Sequence, residues 1–256
     1  MSVPLSFSVF GLSTPLINIG DDIVEITAAS AAASPAGGFQ DGDILVIAES
    51  PLATAEGRII RLADVVPTAA AEALAQEYSI DVRLAEIVLQ ESDEIVGGVP
   101  GYLLARRGNL FLPNAGIDES NAPDGMVTLL PENPDASATR IRNAIRERFG
   151  KDVAVLVIDS RTHAMRLGVS GVAIGVAGLR PITDERGKKD LFGHELQVTR
   201  RAVADGLAST AELLMGEADE CTPAVLIRGY QYQKVEHEEI ASIAPEEDLF
   251  LGMMRK

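Results

Sequence analysis

Asp152-Val153-Ala154-Val155-Leu156-Val157-Ile158, followed by Asp159-Ser160, is the clearest strand signal in the chain. Its apolar residues run without alternation and include several β-branched types, the pattern of a strand buried on both faces. Residues 43–48 (DILVIA) read the same way, and residues 224–227 form a third short strand. Residues 3–10 alternate loosely and read as a strand that leads into a loop at Thr14-Pro15, because proline restricts both itself and its predecessor. Residues 59–62 read as a continuation of the 43–48 strand, and residues 102–105 and 109–112 as a hairpin turned at Arg107-Gly108.

Helices fall between these strands. The pattern predicts one over residues 22–32 and an Ala-rich one over 67–77. Another, capped by Ser79, carries a stripe of Val82, Leu84, Ile87, Val88 and Ile95. Ser137 opens a helix that runs to Phe149 and stops at Gly150. A long helix is predicted over 195–216, with Leu196, Val203, Leu207, Ala211 and Leu214 on one face. The acidic tail from Glu236 reads as helical near Pro245-Glu246-Glu247. Interleaved strands and helices give an α/β or α+β class. No internal repeat of 20 to 50 residues is visible. The chain reads as one domain over 1–256, with a sub-boundary near residues 123–136, where prolines cluster.

The 256 residues carry 22 basic and 38 acidic side chains, a net charge of −16. That balance argues against a nucleic-acid or anionic-membrane partner, since phosphate backbones select basic faces. A small phosphorylated ligand is still allowed, because a metal ion can supply the positive charge. One cysteine rules out an intrachain disulfide and suits a reducing cytoplasm. One Cys and three His disfavour a zinc site. The first 13 residues lack a basic segment and a long apolar run, so no signal peptide is expected, and residues 168–179 are too short and too Gly-rich to span a bilayer. The P-loop, the Gly-rich dinucleotide fingerprint and the serine-hydrolase elbow are all missing.

The chemistry then rests on carboxylates. Asp159 closes a buried strand, where α/β sheets gather ligands, or it simply caps the next turn. Asp118 lies in Asn114-Ala115-Gly116-Ile117-Asp118-Glu119-Ser120-Asn121, as a ligand or as an Asx-turn residue. Glu217 follows a helix C-terminus, where the dipole disfavours an anion, so a cation partner or plain solvation must offset it. Together Asp118, Asp159 and Glu217, with the Ser160 hydroxyl, could form an oxygen-only site for magnesium or manganese bridging to nucleotide phosphates. Arg161, Arg166 and Arg228 are candidates for bidentate oxyanion contacts. The glycines of 168–178 fit close packing better than close approach to a ligand. His163, His194 and Cys221 read as ordinary surface or packed residues.

Several segments resemble one known family, the coenzyme F420-0:L-glutamate (gamma-glutamyl) ligases. They are Thr14-Pro15-Leu16-Ile17, Ala55-Glu56-Gly57-Arg58, the 114–121 loop, Asp159-Ser160, residues 173–178, residues 187–193 and Leu213-Leu214-Met215-Gly216-Glu217. The resemblance implies an unusual α/β fold of two lobes working as an intertwined homodimer. It implies a cytoplasmic, archaeal enzyme that uses GTP to add L-glutamate to coenzyme F420-0 through amide bonds. The cofactors it implies are two divalent cations, Mg2+ or Mn2+, with K+ as a further ion. By position, Asp118, Asp159, Ser160 and Glu217 match metal ligands. Thr14, Pro15, Leu16, Ile17, Glu49, Ser50, Asn121, Met215, Gly216, Glu217, Ala218, Asp219, Glu220, Cys221 and Thr222 match nucleotide contacts. Two departures stand out. Many members carry a Lys before the Glu-Gly-Arg motif where this chain has Leu52-Ala53-Thr54, and an Arg after the Asp-Thr pair where this chain has His163. A paralogous ligase with another acceptor or nucleotide, or a non-catalytic nucleotide- or F420-binding protein, is the alternative.

Overall fold

The computed structural model describes residues 6–108, 110–244 and 246–249. In chain order the first elements are β1 (Ser8–Leu12), α1 (Ile23–Ala33), β2 (Ile44–Ala48), α2 (Glu49–Ala55) and β3 (Ile59–Arg61). There follow α3 (Ala69–Tyr78), α4 (Val82–Glu91), β4 (Glu94–Val99), β5 (Tyr102–Arg107), β6 (Leu110–Pro113) and β7 (Met126–Thr128). The last are α5 (Pro134–Phe149), β8 (Ala154–Thr162), β9 (Val169–Ala177), β10 (Ile182–Asp184), β11 (Arg200–Ala202), α6 (Val203–Met215) and β12 (Ala224–Arg228). The class is mixed α/β. The chain divides into two compact units, one of Met1–Arg58 with Leu130–Ile240, the other of Ile59–Leu129 with the residues from Ala241.

The first unit is built on a five-stranded sheet in the order β1-β12-β2-β8-β9. β2 and β8 are parallel, with Ile44 opposite Ala154 and Ala48 opposite Ile158; the other pairings are antiparallel. The unbroken apolar runs end up as the sequence pattern requires. Ile44, Leu45, Val46 and Ile47 are fully buried, as are Val155, Leu156 and Val157, because helices cover both faces. On one face, Ile44, Val46, Leu156 and Ile158 pack with Val203, Leu207, Ala208 and Ala211 of α6. α2 and α5 pack against β8.

β9 is an edge strand, and an exposed edge invites pairing with other chains. Here side chains cover it. Gly171 N donates to Glu212 Oε2 at 2.6 Å, Ala173 N to Asp205 Oδ1 at 3.0 Å, and Val176 N to Asp135 Oδ1 at 2.7 Å. Such an approach needs glycine. A Cβ on Gly171 would sit 2.6 Å from the Ala208 carbonyl oxygen, and one on Gly175 2.4 Å from the Pro134 carbonyl carbon. Gly171 and Gly175 therefore serve packing, as does Gly178 against Arg142, whereas Gly168, with open space about it, serves a turn at φ 99.

The second unit holds the β3–β7 pair, the β4-β5-β6 meander and the α3–α4 helix pair. Its core gathers Ala71, Leu84, Ala85, Val88, Leu103 and Ala105.

The structure corrects several expectations. Residues 59–62 do not continue β2; α2 intervenes, and β3 pairs with β7 in the other unit. Ser79 does not cap α4. It ends α3 in the left-handed region (φ 55), and Asp81 caps α4 by accepting from Arg83 N and Leu84 N. The α5 cap is Asn133, with Pro134 in the first turn; Ser137 is inside the helix and donates to Glu56 Oε1. The helix predicted over 195–216 is shortened to Val203–Met215, since Arg200–Ala202 pair as β11 with β10. Glu246-Glu247 form a turn rather than a helix, and Pro245 lies outside the described residues. Of the strand expected over 3–10, residues 3–5 lie outside the described residues and the strand runs from Ser8 to Leu12. The hairpin lies where expected, though Asn109 is outside the described residues.

Candidate functional site

The register of the five-stranded sheet brings distant segments to one end. Leu12 lies opposite Ala224 and Ala48 opposite Ile158. At that end the chain leaves β1 into Thr14–Ile17, leaves β2 into Glu49-Ser50, reaches Asp159-Ser160 on β8, and enters β12 from the 216–222 loop. In open α/β sheets the carboxyl ends of strands are where ligands collect. Contacts tie the segments together. Thr14 N donates to the Cys221 carbonyl at 2.9 Å, Ala48 N to the Pro223 carbonyl at 2.9 Å, and the Ser13 and Thr222 hydroxyls lie 3.4 Å apart. Ser50 Oγ donates to Glu49 Oε1 at 2.6 Å. Most of the nucleotide-contact residues carried over from the resemblance thus share one sheet end. Asn121 is the exception, in the second unit.

The 216–222 loop is bent by backbone as well as side chains. Gly216 takes φ 72 and Cys221, exposed, takes φ 48. The Glu220 carboxylate folds back over Gly216, where a Cβ would lie 2.2 Å from its Cδ, and accepts from Ala218 N at 2.8 Å. Ser160 and Glu217 are exposed, while Asp159 is 9% exposed.

Asp159 is ion-paired with Arg161, whose Nε donates to Oδ2 at 3.0 Å. A further acid, absent from the sequence reading, stands beside it. Glu212 accepts from Gly171 N through one oxygen, while its other oxygen is buried with no hydrogen-bond partner. Glu217 and Asp159 are close enough for their charges to act on Glu212, though neither makes a geometric hydrogen bond to that buried oxygen. Burial first, then Glu217, pushes the Glu212 carboxyl up to about 7, against the opposing Gly171 amide. Glu212 has a signal in the sequence: it lies one turn beyond the buried Ala208 and seven residues after Asp205, on the helix face turned to β9, where a carboxylate needs a partner.

The raised value makes the protein's stability depend on pH. Below the ordinary carboxylate range Glu212 is protonated in the folded and unfolded chain alike, and its stabilising contribution is fully present. As pH rises the unfolded chain loses the proton first, so the contribution falls away through about 7. In metal-free buffer the urea midpoint is expected to drop from about pH 5 to about pH 8 by more in the natural protein than in Glu212→Gln. Equal drops in both proteins would remove Glu212 as the cause.

Asp118 belongs to the second unit. Its Oδ1 accepts from the Ser120 backbone N–H and its carboxylate from the Ser120 hydroxyl, all at 2.8 Å, so the Asx-turn is real. The preceding Asn114, Ala115 and Gly116 all take positive φ (46, 55 and 74), and Asn121 takes 53. A left-handed conformation at residues other than glycine costs about 1–2 kcal/mol each. Here Asn114 Oδ1 accepting from Leu103 N at 2.8 Å helps to offset that cost.

The other candidates separate clearly. Arg228 is structural: it pairs with Asp43 and donates to the Ala36 and Gly38 carbonyls. His163 Nε2 lies 2.6 Å from Ser170 Oγ, and His194 Nδ1 3.2 Å from Asp190 Oδ2. Arg166 sits in the exposed β8–β9 turn. A groove of about 630 Å3 is lined by Asp135, Arg140, His237 and Glu239 among others, none of which is a candidate site residue.

The donor set at the sheet end is acidic and oxygen-only, and its one unpaired buried oxygen belongs to a carboxyl, which suits a hard divalent cation. Among the described residues no three His, Cys, Asp or Glu side chains are grouped so as to hold a metal by themselves. Magnesium commonly takes only one or two carboxylates and completes its shell with water and substrate phosphates. No helix of the described residues is long and apolar enough to cross a membrane.

Comparison with known proteins gives a consistent result. Residues 11–229 match the family described as F420-0:Gamma-glutamyl ligase. The chain is 44% identical over 211 residues to the coenzyme F420:L-glutamate ligase of Methanopyrus kandleri, covering 82% of this chain and 81% of that one. It is 44% identical over 219 residues to the ligase of the same name from Methanothermobacter thermautotrophicus (85% and 86% covered), and 41% identical over 224 residues to that of Archaeoglobus fulgidus (87% and 86% covered).

Proposed function

The chain belongs to the F420-0:gamma-glutamyl ligase family, and on that premise we propose that it is a ligase that adds L-glutamate to coenzyme F420-0 at the expense of GTP. The observation that carries this reading is the convergence at one sheet end of Thr14–Ile17, Glu49-Ser50, Asp159-Ser160 and the 216–222 loop. Those are the segments the family resemblance assigns to nucleotide and metal.

In the proposed reaction the acceptor carboxylate takes the γ-phosphoryl group of GTP, giving an acyl phosphate and GDP. The amine of L-glutamate then displaces phosphate and forms the amide. Asp159, Ser160 and Glu217 would hold Mg2+ or Mn2+, which supplies charge neutralisation at the phosphates when bound. Asp118 keeps its ligand role as a separate proposal, tested by Mn2+ binding to Asp118→Asn, and K+ is a further ion to test. The chain's own part is to orient the reactants. The 216–222 loop and the Thr14 segment, fastened by the Thr14–Cys221 hydrogen bond, present backbone groups to the nucleotide. We propose a cytoplasmic homodimer. Its support is the exposed apolar set of Met165, Leu167, Leu191 and Phe192, each at least 86% exposed, which a second copy would cover.

Incubating the protein with Mn2+, GTP, L-glutamate and F420-0 is expected to give a product heavier by one or more glutamyl residues, with one GDP released per bond, read by mass spectrometry. GTP consumption without glutamyl product would sink the acceptor assignment. It would favour the second reading, a sister ligase with another carboxylate acceptor. The observation behind that reading is that Thr54 and His163 stand where many members carry cations, and His163 is engaged with Ser170.

A further inference from the structure

Asp159 and Arg161 stand two residues apart on β8, so they project from the same face of the strand. Arg161 Nε donates to Asp159 Oδ2 at 3.0 Å, and both side chains are only 12% exposed. The guanidinium is incompletely satisfied, for its terminal Nη2 is buried with no acceptor. A buried cation with an unmet donor is held chiefly by charge, and a competing cation can take its place. Nearby, Glu212 has one buried oxygen without a partner and faces Glu217. Three carboxyl groups thus lie within electrostatic reach at Glu212, without being grouped so as to hold a metal by themselves, and Arg161 is ion-paired with Asp159.

We propose that Arg161 is a positioning residue that serves as the internal counter-ion of Asp159 in the metal-free protein, and that a divalent cation must displace it to bind. This rests on the reading of Asp159 as a metal ligand and adds a competitor to it. The competition sets how much free cation the site needs. It arises from the local order Asp159-Ser160-Arg161, which places the two opposite charges on one strand face. While paired with Arg161, Asp159 keeps its orientation toward the sheet end; once displaced, the guanidinium is free to turn to an oxyanion.

The test is calorimetric titration of the full chain with Mn2+ alone, without nucleotide. It compares the natural protein with Arg161→Gln, Arg161→Lys, Asp159→Asn and the Asp159→Asn/Arg161→Gln pair. Removing one charged hydrogen bond is expected to tighten Mn2+ binding about tenfold in Arg161→Gln. Arg161→Lys, which keeps the charge on a different reach, is expected to gain less and serves if the Gln variant fails to fold. The gain should vanish in the double variant. Unchanged or weaker Mn2+ binding in folded Arg161 variants, with only a lower melting temperature, would mean a structural role and overturn the inference. Mn2+ affinity that is indifferent to Asp159→Asn would overturn the metal site itself, a failure recognisable apart from the first.

Discussion

Asp159→Asn is expected to lower GTP-dependent glutamate addition by about 100- to 1000-fold while the chain still folds. Losing one preorganised electrostatic partner of a phosphoryl transfer costs an enzyme about that much. The substitution keeps the side chain's shape, so β8 and its pairing with β2 and β9 are retained. The carboxylate charge is lost, and with it the pairing to Arg161. Since that pair is mostly buried, a fall in stability of about 1–3 kcal/mol accompanies the loss of activity. The check is product formation by mass spectrometry beside urea denaturation of the same preparation. Turnover near that of the natural protein, with Mg2+ or Mn2+ present, would remove Asp159 from the proposed chemistry.

The largest expected effect on stability is at Gly175. A Cβ there would fall 2.4 Å from the Pro134 carbonyl carbon and 2.5 Å from its oxygen. The obstacle is the backbone of the first turn of α5, which cannot rotate away. Either β9 or α5 must move, and overpacking of that kind costs about 1–3 kcal/mol, with backbone clashes at the upper end. Gly206, within α6, is the matched control. Nothing lies within 4 Å of its missing Cβ and its φ is ordinary, so Gly206→Ala is expected to stabilise by about 0.5–1 kcal/mol. Chemical denaturation of both variants decides the matter. If Gly175→Ala unfolds no more easily than the natural protein, the close approach of α5 to β9 is not a constraint.

Much of the sheet was legible because its strands are buried on both faces. Residues 43–48 and 152–158 announce themselves by apolar runs with no polar alternation; β2 lies within the first, while β8 starts at Ala154 and, instead of closing at Asp159-Ser160, runs on to Thr162 because those residues keep pairing with β9. What failed was local competition between neighbouring signals. Ser79 and Asp81 are both capping residues two positions apart, and the carboxylate, which accepts two amides, took the cap. Ser137 lost to Asn133 because Pro134 is suited to the first helical turn and moved the start upstream. Leu196 matches the apolar period of α6, yet residues 200–202 pair as a strand, a tertiary contact that periodicity cannot register. At the candidate site, Asp159 stands out because it follows an unbroken apolar strand, and Glu217 because a helix C-terminus disfavours an anion. Glu212 was passed over because a glutamate within a helix is ordinary until its neighbours are known. The pairing of Arg161 with Asp159 was implicit in their spacing, but only burial shows that it matters.

The strand order has a bearing on biosynthesis. β12, the last strand among the described residues, lies between β1 and β2, the first two. During synthesis on the ribosome, therefore, β1 has no sheet neighbour until residues 224–228 are made, whereas β2 meets β8 first, 110 positions downstream (154 − 44), and gains β12 later. The five-stranded sheet, and with it the sheet end that gathers the candidate site, is completed only once residues 224–228 have been added.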